Sequence, residues 1–442
     1  MKEKVIQFGE GNFLRGFADY FIQKLNEKGL FGGEVVVVQP IENGLSDLIN
    51  SQNGNYNLYL RGIQNGKETT EHTSVNCISR ALNPYDDFDG YLALAHNPDF
   101  RFIVSNTTEA GIAFDESCSF SDKPQSSFPG KLTRLLFERY KVGFSGFIIL
   151  SCELIDNNGK ELLSCVNKYI DLWNLGEEFK EWVNTQNSFC STLVDRIVTG
   201  YPKDEADDIC KALGYTDNLL DTAEIFHLWV IEGNHEDELP LKKAGFNVVW
   251  TDDVTPYKKR KVRILNGSHT SMVLGAILSG LTTVLDCMED ETVSAYLNMC
   301  LFQEIVPTLN PTDDTLDFAN AVLERFRNPY IKHQLRSIAL NSVSKFSVRV
   351  LPSILEYKKI NNSYPKALTM SLAFLIYFYK NDIPNDVPEV TEFMKTASVK
   401  DILYNTDLWG TDITEMETEI NADLKVIAEI GAKEAMKWIM SK

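Results

Sequence analysis

The chain of 442 residues contains eight cysteines, at 77, 118, 152, 165, 190, 210, 287 and 300, and no two of them form C-x-x-C. That argues against a zinc knuckle or a thioredoxin-type site, both of which need closely spaced thiols. Buried, reduced thiols are the plain expectation, and no metal site is expected. Basic residues are also scarce: 43 against 62 acidic ones give a formal net charge of −19. Nucleic acid is therefore disfavoured as a partner, because phosphate binding needs a basic face. A small anionic substrate is not excluded, since a few local arginines suffice. Long apolar runs are missing too. The strongest, MSLAFLIYFYK from Met370, falls well short of the roughly 20 residues a membrane span requires. The opening MKEKVIQFGEG is charged but has no apolar stretch behind it, so neither a secretory leader nor a membrane partner is expected, and the expected location is the cytoplasm. No G-x-x-x-x-G-K-[ST] occurs, which disfavours a P-loop nucleoside triphosphatase. There is no low-complexity linker, internal repeat or long charge run.

What is present is an ordinary globular composition, 44% hydrophobic and 24% charged, in a chain too long for one ordinary core. The first half alternates strand-like and helix-like segments. KVIQFG is a short β-rich run, and FLRGFADYFIQKLNEKG then carries Phe13, Phe17, Tyr20, Phe21 and Leu25 at close to helical spacing. GEVVVVQP suits a parallel strand buried on both faces, and FRFIVSNTTEAG and GFSGFIILSCELI read the same way. FNVVWTDDVTPY is one last extended segment. From Lys261 onward the patterning is mostly helical, with Pro307, Pro311, Pro329, Pro352 and Pro365 as punctuation. The expected fold is an α/β Rossmann-type domain with a parallel-sheet core over residues 1–250, followed by a mainly α-helical domain over 251–442.

The turn after the first strand, VIQFGEGNFLRGF, lacks the third glycine of the dinucleotide fingerprint. Gly9 can make the tight turn, and Gly11 can let a pyrophosphate approach the backbone. Leu14 occupies the slot where a third glycine lets the helix pack closely, so the helix is expected to seat less tightly on the first strand. A helix start there would still favour a phosphate, and Arg15 could add charge. An ordinary strand-to-helix turn with a surface arginine fits equally well. At the end of the second strand Gln39 stands where an acidic residue would hold the adenosine ribose, and Glu42 follows three residues later. Glu42 could take that part, favouring NAD over NADP, or be a plain loop glutamate.

The second informative stretch is KKRKVRILNGSHTSMVLGA. On an α-helix, offsets of five and eight place Asn266 roughly 140° and His269 roughly 80° from Lys261. All three then share one arc. The small and apolar residues that follow predict a buried helix, so ionisable groups at its entry are partly desolvated. Such a lysine can exchange a proton with an alcohol or carbonyl. Asn266 can donate to the oxygen that gains charge, and His269 can orient the lysine or meet the substrate. From spacing alone, a basic helix start with a capping asparagine and a satisfied core histidine is the stronger reading.

With both stretches in hand, the sequence resembles the mannitol dehydrogenase family of polyol-specific long-chain dehydrogenases. Its glycine turn has the form G-x-G-x-F-x-R, here Gly9, Gly11, Phe13 and Arg15. Its catalytic helix has K-x-x-x-x-N-x-x-H, here Lys261, Asn266 and His269. TTEAG at 107–111, SCELIDNNG at 151–159 and VDRIV at 194–198 match as well. The resemblance implies NAD(P)-dependent, metal-independent oxidation of a secondary alcohol, with Lys261 as general acid and base. It implies cofactor contacts at Gly9, Gly11, Asn12, Phe13, Arg15, Glu42 and Thr108, and places Asp195 in the active-site region. Where mannitol dehydrogenases carry S-C-D-N, this chain has SCEL, so Glu153 and Leu154 replace the aspartate and a second oxyanion asparagine. Asn157 or Asn158 is the expected substitute. SFPGKLTRLL, SCELIDNNG and VDRIVTGYP look more like a hexuronate-reducing branch that uses NAD. A sugar-acid substrate needs a cationic partner, for which Arg196, Arg336 and Lys345 are candidates. Two rivals are a nucleotide sensor on a Rossmann scaffold, which would not need the lysine, asparagine and histidine, and a metal-dependent isomerase using His227, His235 or His269, whose spacings fit no metal motif. Monomer and dimer remain open.

Overall fold

The computed structural model describes every residue except Asn65. By their contacts the described residues form two compact units, Met1–Gly62 with Glu68–Thr255, and Ile63–Lys67 with Pro256–Lys442. The division expected from sequence falls a few residues before Thr255. The excursion at 63–67 had no sequence signal.

The first unit contains eleven strands, the tip between β3 and β4 excepted: β1 (Lys2–Phe8), β2 (Gly33–Val38), β3 (Tyr56–Gln64), β4 (Lys67–Val75), β5 (Ile78–Leu82), β6 (Phe102–Ser105), β7 (Ile148–Ser151), β8 (Ser188–Asp195), β9 (Asp221–Glu224), β10 (Leu228–Glu232) and β11 (Val248–Thr251). Eight form one sheet in the order β11-β10-β8-β7-β6-β1-β2-β5. Every pairing is parallel except β8 with β10. Val35 and Val37 of β2 enter one hydrophobic core, and Val36 and Val38 enter the other. That two-sided burial is what an uninterrupted valine run is for. Strand order reverses between β1 and β6, and the register aligns Phe8 with both Val38 and Ser105, and Ser105 with Ser151. The segments after β1, β2, β6 and β7 therefore leave one edge of the sheet together, where parallel α/β sheets bind ligands. The small sheet β4-β3-β9 went unrecognised in the sequence, because KETTEHTSV is mostly exposed and polar.

The single helix expected after β1 is two. Asn12–Arg15 ends at Gly16, Phe17 takes φ −128° and ψ −82°, and Ala18–Glu27 restarts. Leu14 is buried, and its Cδ1 would lie 3.3 Å from a Cβ on Gly9. A leucine in the third-glycine slot is thus accommodated by breaking the helix. Close packing has moved to Gly16, where an added Cβ would stand 3.0 Å from the Val198 side chain.

The second unit is helical. Gly267–Leu278 is buried along almost its whole length. At Gly275 an added Cβ would approach Met436 Cε to 2.5 Å and the Phe374 ring to 2.8 Å. The missing side chain therefore lets Lys366–Asn381 and Ala432–Met440 pack directly on it.

Candidate active site

At the shared sheet edge, Gly9 has φ +119°, and a Cβ there would stand 2.7 Å from the Asn106 carbonyl oxygen. A side chain is excluded on both counts. Gly11 is different: its backbone is extended at φ −69° and ψ 169°, it is exposed, and nothing lies within 4 Å of an added Cβ. Its bare backbone faces open space, a cradle that fits the approach of a dinucleotide pyrophosphate. Asn12 is exposed and Phe13 half-buried, stacked on Phe17 with centroids 5.1 Å apart.

Arg15 is not at the surface of this turn. It is buried, donates to the Leu219 carbonyl and to Asn12 Oδ1 at 2.5 Å each, and lies 5.2 Å from the Tyr56 ring centre. The expectation of a phosphate-binding charge is corrected: the guanidinium braces the turn from inside. It sits among buried acids, Asp19 and Asp221, whose carboxyls burial pushes up to about 7.

After β2, Gln39 is buried. Its Nε2 donates to the carbonyls of Ile41 and Glu42, and its Oε1 accepts from the Ser46 amide. The glutamine scaffolds the loop and leaves the Glu42 side chain exposed. After β6, Thr108 has φ +69°, a conformation rare for a β-branched residue and most often kept at ligand-binding positions.

Glu153, the departure from the family pattern, is buried behind this edge. It accepts from Ser105 Oγ, Thr107 N–H and Thr107 Oγ1 at 3.0–3.1 Å, while burial raises its carboxyl above the ordinary range. It ties β6 to β7, and Leu154 beside it points to solvent. Asn158 does not replace the missing oxyanion donor. Its amide donates to the Glu153 and Thr192 carbonyls and its oxygen accepts from the Gly159 and Thr192 amides. Asn157 is exposed in a left-handed conformation. Asp195 is buried at the end of β8.

Two cation assignments are also corrected. Arg196 is buried and donates to the carbonyls of Gly16, Ile225 and Phe226, with Tyr20 4.8 Å from its guanidinium. Burial lowers it to about 10. It is a strut with no free donor face for a substrate. Arg336 is exposed and paired with Asp382 at 3.0 Å. Lys345 is half-buried and donates to the Ile338 carbonyl at 3.0 Å.

In the second unit, Thr255–Lys261 runs straight into a π-helical turn, Val262–Asn266, and then into Gly267–Leu278. The α-helical angles expected from sequence do not hold here. A π turn closes i→i+5, and the Gly267 amide reaches back to Val262. Residues five apart then stand nearly above one another, as residues four apart do on an α-helix. Asn266 is brought beside Lys261, and His269 follows one short turn later. Lys261 and Asn266 are half-buried, and among the described residues nothing hydrogen-bonds the Asn266 side-chain amide.

His269 stacks on Phe326 with ring centres 4.0 Å apart and meets His333 edge-on at 5.2 Å. Its Nε2 is buried without a hydrogen-bond partner. Burial first, and then the nearby His333, Arg325 and Arg349, hold its pKa well below the ordinary value, so the ring is neutral. That leaves the nitrogen able to meet a ligand or an ordered water. His333, Arg325 and Arg349 were not singled out in the sequence, where no periodicity or motif marks them. Among the described residues no group of histidine, cysteine, aspartate and glutamate is placed to hold a metal ion, and no helix is long and apolar enough to cross a membrane.

A glycine turn at the switch point of a parallel sheet in the first unit, and a lysine, an asparagine and a neutral histidine on one helical stretch of the second, are features of an oxidoreductase that acts on CH–OH groups. The family models agree. Residues 3–243 match the mannitol dehydrogenase Rossmann domain and residues 253–428 the mannitol dehydrogenase C-terminal domain. The chain belongs to the mannitol dehydrogenase family. It is 44% identical to an altronate oxidoreductase of Phocaeicola vulgatus, over 99% of this chain and 97% of that one. It is 44% identical to that of Yersinia enterocolitica, over 98% and 96%. Its fold is similar to a substrate-free D-sorbitol dehydrogenase, with a TM-score of 0.86 at 23% identity over 99% of this chain and 95% of that one. It is also similar to the Pseudomonas fluorescens mannitol 2-dehydrogenase ternary complex with NAD and D-mannitol, with a TM-score of 0.72 at 22% identity over 100% and 95%.

Proposed function

We propose that this chain is a tagaturonate reductase (D-altronate:NAD 3-oxidoreductase), converting D-tagaturonate, NADH and a proton to D-altronate and NAD, and the reverse. The observation that carries this reading is the near-full-length similarity to altronate oxidoreductases at 43–44% identity. NAD, when bound, supplies or accepts the hydride. Gly9, Gly11, Asn12, Phe13 and Thr108 would hold it at the sheet edge. Glu42, exposed after β2, favours a free ribose hydroxyl over a 2′-phosphate.

This chain's own residues handle the proton and the oxygen. In reduction Lys261 gives its proton to the ketone oxygen, and in oxidation it takes the proton from the alcohol. Asn266 donates a hydrogen bond to the same oxygen as charge builds there. His269 stays neutral, so it orients without competing as an acid. Asp195 belongs to the same active-site reading. Proton transfer and oxyanion stabilisation both come from one π-turned helix, which fixes their spacing. The eight thiols, all free, support a reducing cytoplasm as the location.

The test is NADH oxidation, followed by absorbance, with tagaturonate, fructuronate and fructose as alternative acceptors and NADPH as alternative donor. Turnover is expected with tagaturonate and NADH. Turnover with fructuronate or fructose alone moves the chain to a neighbouring branch of the family. Lys261→Ala should cut kcat by about 10²–10⁴ while NADH still binds. Near-normal turnover in that variant would remove the acid–base role.

A further inference from the structure

We infer that the guanidinium of Arg349 binds the carboxylate of the sugar acid, in a basic corner beside His269. This rests on the hexuronate reading above.

Arg349 ends the helix Ser342–Arg349 and is half-buried. Among the described residues its guanidinium makes no hydrogen bond and no ion pair, although the chain carries a large surplus of acids. A desolvated arginine is normally paired, and the other cations near the catalytic helix are. Arg260 is bonded to Asp314, Arg263 to Ser353 Oγ and Lys345 to the Ile338 carbonyl.

Its position is set by a glycine. At Gly267, between Asn266 and His269, an added Cβ would stand 3.0 Å from the Arg349 carbonyl oxygen. A side chain there would crowd that carbonyl, so the glycine lets the end of this helix sit close on the catalytic one. Arg349 is close enough to His269 for its charge to oppose an imidazolium. Lys345 lies one turn earlier on the same helix, hence on the same face, and His333 touches His269 edge-on. No acid lies on Ser342–Arg349, and Asp386, the carboxylate that Lys345 senses, accepts from the Tyr379 hydroxyl at 2.5 Å. The corner is therefore positive and partly dry, and among the described residues no carboxylate pairs with Arg349. A planar guanidinium there can take a carboxylate through two parallel hydrogen bonds. A neutral polyol has no group that uses it.

The experiment compares wild type, Arg349→Gln and Arg349→Lys on tagaturonate and on the neutral ketose with CH2OH in place of the carboxylate. Thermal melting and NADH titration accompany each variant. Arg349→Gln should raise KM for the uronate about 30-fold or more, the effect of losing one charge-assisted bidentate contact. The same variant should change kcat/KM for the neutral ketose by less than about threefold. Arg349→Lys keeps charge without the fork and should fall between. If the glutamine variant does not fold, the lysine variant carries the same comparison. Equal losses on both substrates, or none on the uronate, would overturn the assignment while leaving the enzyme a tagaturonate reductase. A wild-type enzyme that reduces the ketose but no keto-uronate would overturn the functional reading, and this inference with it.

Discussion

Gly11→Ala separates the two jobs of the glycine turn. The backbone of Gly11 is already in an extended conformation that alanine adopts freely, and the new methyl would meet nothing within 4 Å. Folding should therefore not suffer. Reduced freedom in the unfolded chain should add about 0.4–1 kcal/mol of stability. If the cofactor's pyrophosphate seats against this backbone, the same methyl occupies the space it needs. An upward shift of at least tenfold in the NADH dissociation constant, about 1.4 kcal/mol, is then expected. Gly9→Ala is the contrasting control. There φ is +119° and the methyl would sit 2.7 Å from the Asn106 carbonyl oxygen, so stability should fall by roughly 1–3 kcal/mol from backbone strain alone. Thermal melting of the ligand-free proteins and fluorescence titration with NADH read the two effects apart. A Gly11→Ala protein that melts as wild type and binds NADH within twofold of it would refute the cradle.

Arg196→Met should lower stability by several kcal/mol, about 1–3 for each buried carbonyl that loses its donor; a normal melt with a raised substrate KM would return Arg196 to the substrate site. Asn266→Ala should reduce kcat by about 10²–10³, measured at saturating NADH and substrate; a loss below tenfold would mean that another donor faces the oxygen. Asp423 is buried and its carboxyl is pushed up to about 7 by desolvation. The fold thus prefers the protonated acid, and stability from this group is complete below pH 3.8 and lost as pH rises through about 7. Asp423→Asn should be more stable than wild type at pH 8 by about 2–4 kcal/mol, with the difference vanishing near pH 4. Chemical denaturation at the two pH values checks it, and a pH-independent difference would count against a raised pKa.

Much of the fold was legible because its residues say one thing at every level. VVVV, β-branched throughout and closed by a proline, suits a strand buried on both sides, and the helices after residue 260 repeat their apolar positions over long windows. β4 was illegible because its residues are polar, and its strand state comes from pairing with β3, which no local pattern announces. The charged residues near the motifs were the least legible. Arg15 and Arg196 stand where a reader of sequence expects charges for phosphate and carboxylate. Yet both turn inward to backbone carbonyls of distant segments, Leu219 for one and Gly16, Ile225 and Phe226 for the other. Arg349, unpaired among the described residues, has no motif around it. Burial and pairing are tertiary properties, and sequence spacing carries no measure of either.

The lysine–asparagine spacing holds a further lesson. Five residues apart on an α-helix is a poor spacing for two groups that must reach one oxygen, since it places them on well-separated sides. Read that way, the motif favours the bland explanation. The π turn at Val262–Asn266 removes the objection by adding one residue to a single turn. It replaces an ordinary α turn with a rarer one, and the flanking structure holds it in place. Ile264 and Leu265 are buried, and Arg263 is tied to Ser353. Gly267, next in sequence, leaves room for the Arg349 carbonyl where a side chain would crowd it. The same short stretch thus sets Lys261 beside Asn266, the pair proposed for proton transfer and oxyanion binding, and brings the end of the Arg349 helix against Gly267. A spacing that argues against an active site on a regular helix becomes the reason that one can form on this irregular one.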